Sequence, residues 1–241
     1  MNSIHLTNEQ IGSMWDYQTI EAIGDAWREI LRQHLGEPGL ALDAGCGQGF
    51  AAILLAQMGW QVIAADHSDR ALKSARENAR KFHVEDRITF RKCDITETGL
   101  PSGSLDAVVV RHTSYFLLKP FTAYQEWFRL LKAGGTFLNF DANWLAPLWD
   151  EARAQAFLRD EQALKQRYPD YTDMYHDRYA LMRLSQYPLA YRDRPRWDLG
   201  ACRDIGYSFV DSLDLSAEEL LPEALGMRFK SIPGYLIKAI K

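Results

Sequence analysis

The sequence has few cysteines, no long apolar run and no excess of positive charge. Its three cysteines, Cys46, Cys93 and Cys202, are widely spaced, which indicates neither a disulfide framework nor a pair of metal ligands. No stretch approaches the roughly 20 apolar residues that cross a bilayer, and no basic start leads into an apolar run. These absences predict a soluble, unexported protein of the reducing cytoplasm that does not partner with a membrane.

The charge balance excludes a further class of partner. The 241 residues carry a formal net charge of −4, whereas sequence-independent binding to nucleic acid requires a basic face that neutralises phosphates. The length fits one α/β domain, residues 1–241, that contains an insertion. We therefore expect a small-molecule partner and no nucleic acid, and the oligomeric state stays open.

The most informative feature that is present is an apolar strand followed by a glycine-rich turn, in residues 40–50. Asp43 lies just before the turn, and a helix is predicted to begin at Phe50. Glycine permits positive φ and close approach of the backbone, and a helix N-terminus attracts a polar ligand. The turn is therefore typical of a nucleotide-cofactor loop. Its glycines are Gly45, Gly47 and Gly49.

Three carboxylates indicate which cofactor the loop accepts. The dinucleotide fingerprint requires glycine at position 50, where this chain has Phe50. Asp43 would repel a pyrophosphate and instead suits a positively charged cofactor such as S-adenosylmethionine. Asp66 ends the next apolar run, where a carboxylate can accept hydrogen bonds from ribose hydroxyls. Asp94 is placed to accept the adenine amino group, with Ile95 as an apolar contact.

Taken in chain order, these features resemble the class I S-adenosylmethionine-dependent methyltransferases. The matching segments are residues 43–49, 65–68, 93–95, 105–110 and 130–137. The resemblance implies a doubly wound, seven-stranded, mostly parallel sheet with the last strand antiparallel and helices on both faces. It also implies these cofactor-binding residues: Asp43, Ala44, Gly45, Gly47, Gly49, Asp66, His67, Asp94, Ile95, Arg111, and Tyr17 from an N-terminal helix that closes over the cofactor.

The hydrophobic pattern predicts the same architecture, because apolar strands alternate with helical segments from residue 40 to residue 140. The predicted strands are residues 40–43, 61–65, 88–92, 105–110, 136–141, 207–215 and 234–240. The predicted helices are residues 6–35, 70–82, 122–131 and 198–205, with Asp198 as the N-cap of the last one.

The strand pattern stops between Ala142 and Pro195, and this stretch is rich in tyrosine and arginine. It follows the fifth strand at the carboxyl edge of the sheet, where open α/β sheets bind ligands. We expect a helical lid over the acceptor pocket. Its tyrosines at residues 171, 175 and 179 share one helical face, so either Tyr175 contacts the acceptor or the stripe only packs the insertion.

Candidate residues for the chemistry follow the fourth and fifth strands. Methyl transfer mainly requires alignment of the acceptor and exclusion of water. His112 is a candidate base or a histidine that braces the loop, and Arg111 either binds an anionic group or pairs with a loop acid. Asp141 and Asn143 either orient an amine or hydroxyl or cap the strand end, and the face of Trp144 can attract a cation.

Two further expectations concern the acceptor and metals. Arg196 lies at the predicted pocket mouth, where it suits an anionic acceptor or stays solvated. Because Arg111 and His112 stand where a metal-dependent enzyme of this kind would need oxygen ligands, we predict no metal.

The sequence thus predicts an S-adenosylmethionine-dependent methyltransferase that acts on a small molecule. The alternatives are an NAD(P)-dependent oxidoreductase, which Phe50 and Asp43 disfavour, and a non-catalytic S-adenosylmethionine-binding module. The acceptor, and whether its N, O, S or C atom is methylated, stay open because many chemistries share this fold.

Overall fold

The computed structural model describes residues 17–170, 185–232 and 234–241, in which seven strands form one sheet. The sheet order is β3-β2-β1-β4-β5-β7-β6, with β1 to β5 parallel and β7 antiparallel to both of its neighbours. The predicted fold is confirmed. The strands are β1 (Leu40–Ala44), β2 (Gln61–Asp66), β3 (Ile88–Lys92), β4 (Leu105–Arg111), β5 (Leu131–Ala142), β6 (Phe209–Leu215) and β7 (Gly234–Ile240).

Helices cover both faces of this sheet. One buried cluster packs Trp27, Phe50 and Phe140 on one face, and another packs Trp127 and Phe137 on the opposite face. The helices are α1 (Tyr17–His34), α2 (Phe50–Gln57), α3 (Asp69–Lys81), α4 (Pro120–Leu130), α5 (Glu151–Arg167), α6 (Arg196–Ile205), α7 (Ala217–Leu220) and α8 (Glu223–Arg228). Short 3₁₀ turns occupy Glu85–Arg87, Ser114–Phe116 and Ala146–Leu148. None of the described helices is both long and apolar enough to cross a membrane.

Helix α2 positions the glycine loop because it is buried on all sides. Its residues from Phe50 to Ala56 are apolar and buried, so the helix lies between the sheet and α1 and does not face solvent. Its N-terminus begins at Gly49, which adopts a left-handed φ of 88°. The loop is thereby held at the carboxyl edge of the parallel strands.

The fifth strand is longer than the pattern predicts. It begins at Leu131 and not at Thr136, because Leu131 pairs with Leu105 before the register shifts and Thr136 pairs with Ala107. Gly134, with a φ of 76°, lies in the irregular part between these pairs. A glycine pair that indicates a turn in the sequence therefore lies inside a strand.

The insertion is helical over part of its described residues, whereas residues 185–195 form turns. It contains the turn at Ala146–Leu148 and helix α5, which Asp150 caps by accepting the Arg153 N–H at 3.1 Å. Residues 171–184, with the predicted tyrosine stripe and Tyr175, lie outside the described residues. The prediction that Asp198 caps the next helix is wrong, because α6 begins at Arg196 and Asp198 is fully buried inside it.

Candidate active site

A deep cleft opens at the carboxyl edge of the sheet, with a volume of about 1330 Å³. This volume exceeds the roughly 300–1,000 Å³ of an ordinary ligand pocket. The sheet-edge part of its wall contains these predicted residues: Gly45, Gly47, Asp66, His67, Asp94, Ile95, Arg111 and His112. The cleft therefore has room for two molecules, and one of them would lie on the glycine loop.

Each glycine of the loop has a left-handed φ, but the three have different surroundings. A Cβ on Gly45 would lie 2.4 Å from the Thr113 side chain, and one on Gly49 would lie 3.1 Å from Ala75. A Cβ on Gly47 would meet no atom within 4 Å. Gly45 and Gly49 are thus required by packing, whereas Gly47 leaves its surface open for a ligand.

Asp66 presents a buried carboxylate to the cleft. Its two oxygens accept the Gly47 N–H at 3.0 Å and the Ser68 N–H at 2.9 Å. A carboxylate oxygen has capacity for a second hydrogen bond, so both oxygens can also accept from a ligand hydroxyl. His67 is exposed, with its Nδ1 3.6 Å from Asp66, and the Asp94 carboxylate accepts the Thr96 N–H at 2.8 Å.

Asp43 does not face the cleft, contrary to the expectation that it meets a cationic cofactor group. Within the described residues its carboxylate is buried and accepts the Ala52 N–H at 2.8 Å, in the first turn of α2. Burial raises the pKa of Asp43 to about 7, although the bond from Ala52 and the charge of Arg111 act against this rise. Asp43 thus anchors α2 to β1. Ala44 and Gly49 also lie off the cleft wall.

Arg111 lies on the wall with its guanidinium stacked on two rings. It is 3.9 Å from the centroid of Phe50 and 4.5 Å from that of Trp27. Burial lowers the pKa of Arg111 well below its usual value, and the negative charge of Asp43 counteracts this. Phe50 therefore supports a cation at the position where a dinucleotide-binding loop needs glycine.

His112 lies at the end of β4 with a left-handed φ of 51°. Such a backbone costs roughly 1–2 kcal/mol for a residue other than glycine and is common at functional sites. Its N–H donates to the Phe140 carbonyl at 2.9 Å, and its ring lies 5.1 Å from that of Trp144. Burial, followed by the positive charge of Arg111, lowers the pKa of His112 well below its usual value, so the imidazole is neutral at physiological pH.

Asp141 and Asn143, the other candidate catalytic residues, are not on the wall of the cleft in the described structure. Asp141 is buried and accepts the Trp144 Nε1–H at 2.7 Å. Asn143 binds the main chain of Arg194, accepting its N–H at 3.0 Å and donating to its carbonyl. The two side chains therefore lie behind Trp144, which is on the wall as expected.

Two other predicted contacts are not among the wall residues of the described chain. Arg196 begins α6 and lies away from the cleft wall. Tyr17 is the first residue of α1, and its side chain lies outside the described part of the structure.

The second part of the cleft is an apolar chamber that sequence reasoning largely missed. Its wall residues are Tyr115, Phe116, Leu117, Leu118, Trp144, Leu145, Pro147, Leu148, Ala154, Phe157, Leu158, Tyr187 and Phe229. One signal was available, because residues 154, 157, 158, 161 and 165 of the insertion lie at helical spacing and share one face of α5. Phe229 and the loop after His112 gave no comparable signal.

Charged groups lie at one end of the apolar chamber. The Arg228 side chain is buried, with its guanidinium 3.3 Å from the Glu161 carboxylate and 5.6 Å and 5.4 Å from the rings of Phe157 and Phe229. Lys165 also lines this end. Among the described residues, no group of three or more His, Cys, Asp and Glu side chains could hold a metal ion.

Comparison with known proteins was consistent with this geometry. Residues 42–139 match a family model described as a methyltransferase domain. Sterol 24-C-methyltransferase of Saccharomyces cerevisiae is 30% identical over 103 residues, which are 42% of this chain and 27% of that protein. The chain spans about half or less of the length of the curated relatives that it matches, from 27% to 53%.

Two solved structures show the same fold. The 4+2 cyclase SpnF superposes with a TM-score of 0.60 at 18% identity, covering 98% of this chain and 97% of that one. Geranyl diphosphate C-methyltransferase from Streptomyces coelicolor, in complex with Mg²⁺, geranyl diphosphate and S-adenosyl-L-homocysteine, superposes with a TM-score of 0.55 at 18% identity, covering 91% and 80%.

The seven-stranded sheet, the glycine loop and the acidic residues at the ends of β2 and β3 agree with the resemblance of the sequence to the class I S-adenosylmethionine-dependent methyltransferases. The match to the methyltransferase domain model covers 98 of the 241 residues of this chain.

Proposed function

We propose that this protein transfers a methyl group from S-adenosylmethionine to an apolar small molecule. The observation that carries the proposal is the continuity of one cleft, in which the glycine-loop edge leads directly into the apolar chamber. The sterol and geranyl diphosphate enzymes to which the chain is similar are named for acceptors with large apolar parts, which agrees with this chamber.

The residues on the sheet-edge wall fit this cofactor. Asp66 has acceptor capacity for two ribose hydroxyls, and Gly47 leaves open surface beside it. Asp94 and Ile95 line the same cleft, which supports their proposed contact with adenine. When bound, S-adenosylmethionine supplies a methyl group on a positively charged sulfur. Phe50 fills the position that a dinucleotide loop reserves for glycine, which argues against an oxidoreductase.

The chain itself aligns the acceptor and excludes water. The aromatic and aliphatic walls desolvate the acceptor beside His112 and Trp144. His112 is neutral, and its depressed pKa makes it a weak base. We infer that residues 142–195 are an acceptor lid within a single domain and that its described residues on the chamber wall select the acceptor. We place the reaction in the cytoplasm, without nucleic acid.

Two measurements test this proposal. Calorimetric titration should show binding of S-adenosylhomocysteine, and S-adenosylmethionine with a tritiated methyl group should label a panel of isoprenoid and sterol acceptors recovered in organic solvent. Asp66→Ala should lower labelling at limiting cofactor in proportion to its weaker cofactor binding. Binding without labelling of any acceptor would favour a non-catalytic binding module, and binding of NAD alone would overturn the assignment.

A further inference from the structure

Asp141 forms hydrogen bonds in two directions from a buried position at the end of β5. Its Oδ1 accepts the Trp144 Nε1–H at 2.7 Å and the Ala142 N–H at 2.9 Å. Its Oδ2 accepts the Ser114 hydroxyl and lies 3.5 Å from the guanidinium of Arg194. Each of the three side-chain partners belongs to a different segment of the chain.

The bond to Ser114 reaches one wall of the apolar chamber. Ser114 begins the 3₁₀ turn at Ser114–Phe116, and the chamber residues from Tyr115 to Leu118 follow it directly. The Ser114 hydroxyl is fully buried and accepts from Asn139 Nδ2 at 3.2 Å and from Arg194 at 2.8 Å. Its own proton is therefore directed to Asp141, which fixes the start of this wall.

The bond to Trp144 reaches a second part of the chamber wall. The indole ring packs edge-on against His112 at 5.1 Å and against Phe229 at 5.1 Å, and it lies 6.2 Å from Tyr115. An indole has one donor and two rotatable bonds, so the bond from Nε1 to Asp141 selects a single ring orientation. That orientation sets the space between His112 and the rest of the chamber.

The third partner, Arg194, connects the end of the insertion to the same carboxylate. Its guanidinium also binds Asp198, with one N–O distance of 2.5 Å, and Asp198 accepts the Tyr124 hydroxyl at 2.5 Å and the Tyr235 hydroxyl at 3.3 Å. Asp198 and Arg194 are both buried, so little solvent competes for these bonds. The end of the insertion at Arg194 is thus fixed by its ion pairs with Asp141 and Asp198 as well as by its main-chain hydrogen bonds to Asn143.

We propose that Asp141 is a positioning residue that determines acceptor specificity, because it ties Trp144, the Ser114 turn and Arg194 into one fixed frame around the apolar chamber. The inference rests on the proposed function. The partners of Asp141 lie on the chamber side of the cleft or behind its wall, and not on the glycine loop. Loss of the carboxylate should therefore disturb acceptor alignment and leave cofactor binding intact.

Nuclear magnetic resonance tests the frame without any acceptor. In protein with ¹⁵N-labelled tryptophan and bound S-adenosylhomocysteine, Trp144→Phe and Trp149→Phe assign two indole signals. Trp149 is the matched control, because it lies in the same segment but donates to the Ala190 carbonyl at 3.0 Å. Asp141→Asn should move the Trp144 signal upfield and leave that of Trp149 in place. Ser114→Ala should also move the Trp144 signal, but not when Asp141→Asn is already present.

Enzyme kinetics then distinguish a positioning role of Asp141 from a role in the stability of the whole fold. With an acceptor found by the labelling screen, Asp141→Asn and Trp144→Phe should each lower kcat/KM for the acceptor about tenfold, with the Kd of S-adenosylhomocysteine within twofold of wild type. Trp149→Phe should change neither quantity. If Asp141→Asn does not fold, Ser114→Ala and Trp144→Phe carry the test, since both keep Asp141.

The proposal would be overturned if neither Asp141→Asn nor Ser114→Ala moved the Trp144 indole signal. It would also be overturned if Asp141→Asn weakened cofactor binding and acceptor binding equally. If both variants move the Trp144 signal but the protein labels no acceptor, the frame around Asp141 is supported and the proposed function is contradicted. If the protein methylates an acceptor but neither variant moves the Trp144 signal, the proposed function is supported and the frame is contradicted.

Discussion

The Asp66 carboxylate accepts a hydrogen bond from the Gly47 N–H of the glycine loop, and it also faces the cleft where we propose that the cofactor binds. Asp66→Ala should weaken binding of S-adenosylhomocysteine by roughly 1–3 kcal/mol, because two hydroxyls lose a charged acceptor. Calorimetric titration measures the effect. The control is Asp69→Ala, a nearby exposed carboxylate paired with Lys92, which should leave affinity unchanged. Equal affinities of wild type and Asp66→Ala would remove Asp66 from the cofactor site.

Asp43 should make stability depend on pH. Its pKa in the folded protein is about 7, above the ordinary value of 3.8, so the folded state holds a proton that the unfolded state releases. The stability from this protonation is full below pH 4 and is lost as pH rises through 7. Asp43→Asn lacks this titration and keeps an oxygen for the Ala52 N–H.

Relative to wild type, Asp43→Asn should therefore gain roughly 2.6 kcal/mol between pH 5 and pH 8, since each pH unit between the two pKa values corresponds to about 1.4 kcal/mol. Urea unfolding of both proteins at the two pH values measures this difference, and the contribution of His112 cancels in it. A difference that does not change with pH would mean that Asp43 is already ionised at pH 5.

At the residue scale, the sequence predicts some positions well and others poorly for a physical reason. Asp66 and Asp94 follow parallel strands, and the carboxyl ends of such strands meet at one edge, so both face the cleft as expected. Asp141 also ends a strand, but its partner Arg194 lies 53 positions along the chain and draws it into a buried ion pair. No local pattern reveals a partner at that separation.

At the element scale, one face of α5 lines the apolar chamber and another face is exposed to solvent. Phe157 lines the apolar chamber, whereas Arg159, two residues on, is exposed and away from it. Phe157→Ala should lower kcat/KM for the acceptor about tenfold by loosening its alignment, with little change in the Kd of S-adenosylhomocysteine. Initial rates and calorimetry on the two variants check this.

The matched control is Arg159→Ala, on the same helix, which should retain wild-type turnover. If Phe157→Ala is as active as Arg159→Ala, α5 is only a packing element and does not select the acceptor.

The predicted elements agree with the structure where the pattern is periodic. Strands β1 to β4, β6 and β7 lie within two residues of their predicted bounds. The start of β5 was missed because its pairing with β4 crosses an irregularity near Gly134, and irregular register leaves no period in the sequence. The face of α5 was readable, but the segments that it opposes, 115–118 and Phe229, come from distant parts of the chain.

At the scale of the whole molecule, ligand binding should appear as thermal stability. S-adenosylhomocysteine at 100 times its Kd should stabilise the native state by about 2.7 kcal/mol, which raises the Tm by roughly 5–10 °C for a domain of this size. NAD and NADP at the same concentration should not shift it, because the loop lacks the glycine that dinucleotides need. Differential scanning fluorimetry compares the three ligands, and a shift with NAD alone would refute the cofactor assignment.

The position of β7 also has a consequence for the order of folding. Although it follows β6 in the chain, β7 lies between β5 and β6, and in the described sheet it is the strand to which β6 pairs. During synthesis on the ribosome, β6 therefore has no strand to pair with in this sheet until β7 has left the ribosome. Its outward Phe209 and Leu213 side chains are 49% and 37% exposed even in the native sheet. Closure of this edge therefore follows the synthesis of β7, and the nascent chain is most prone to pair with another copy just before that step.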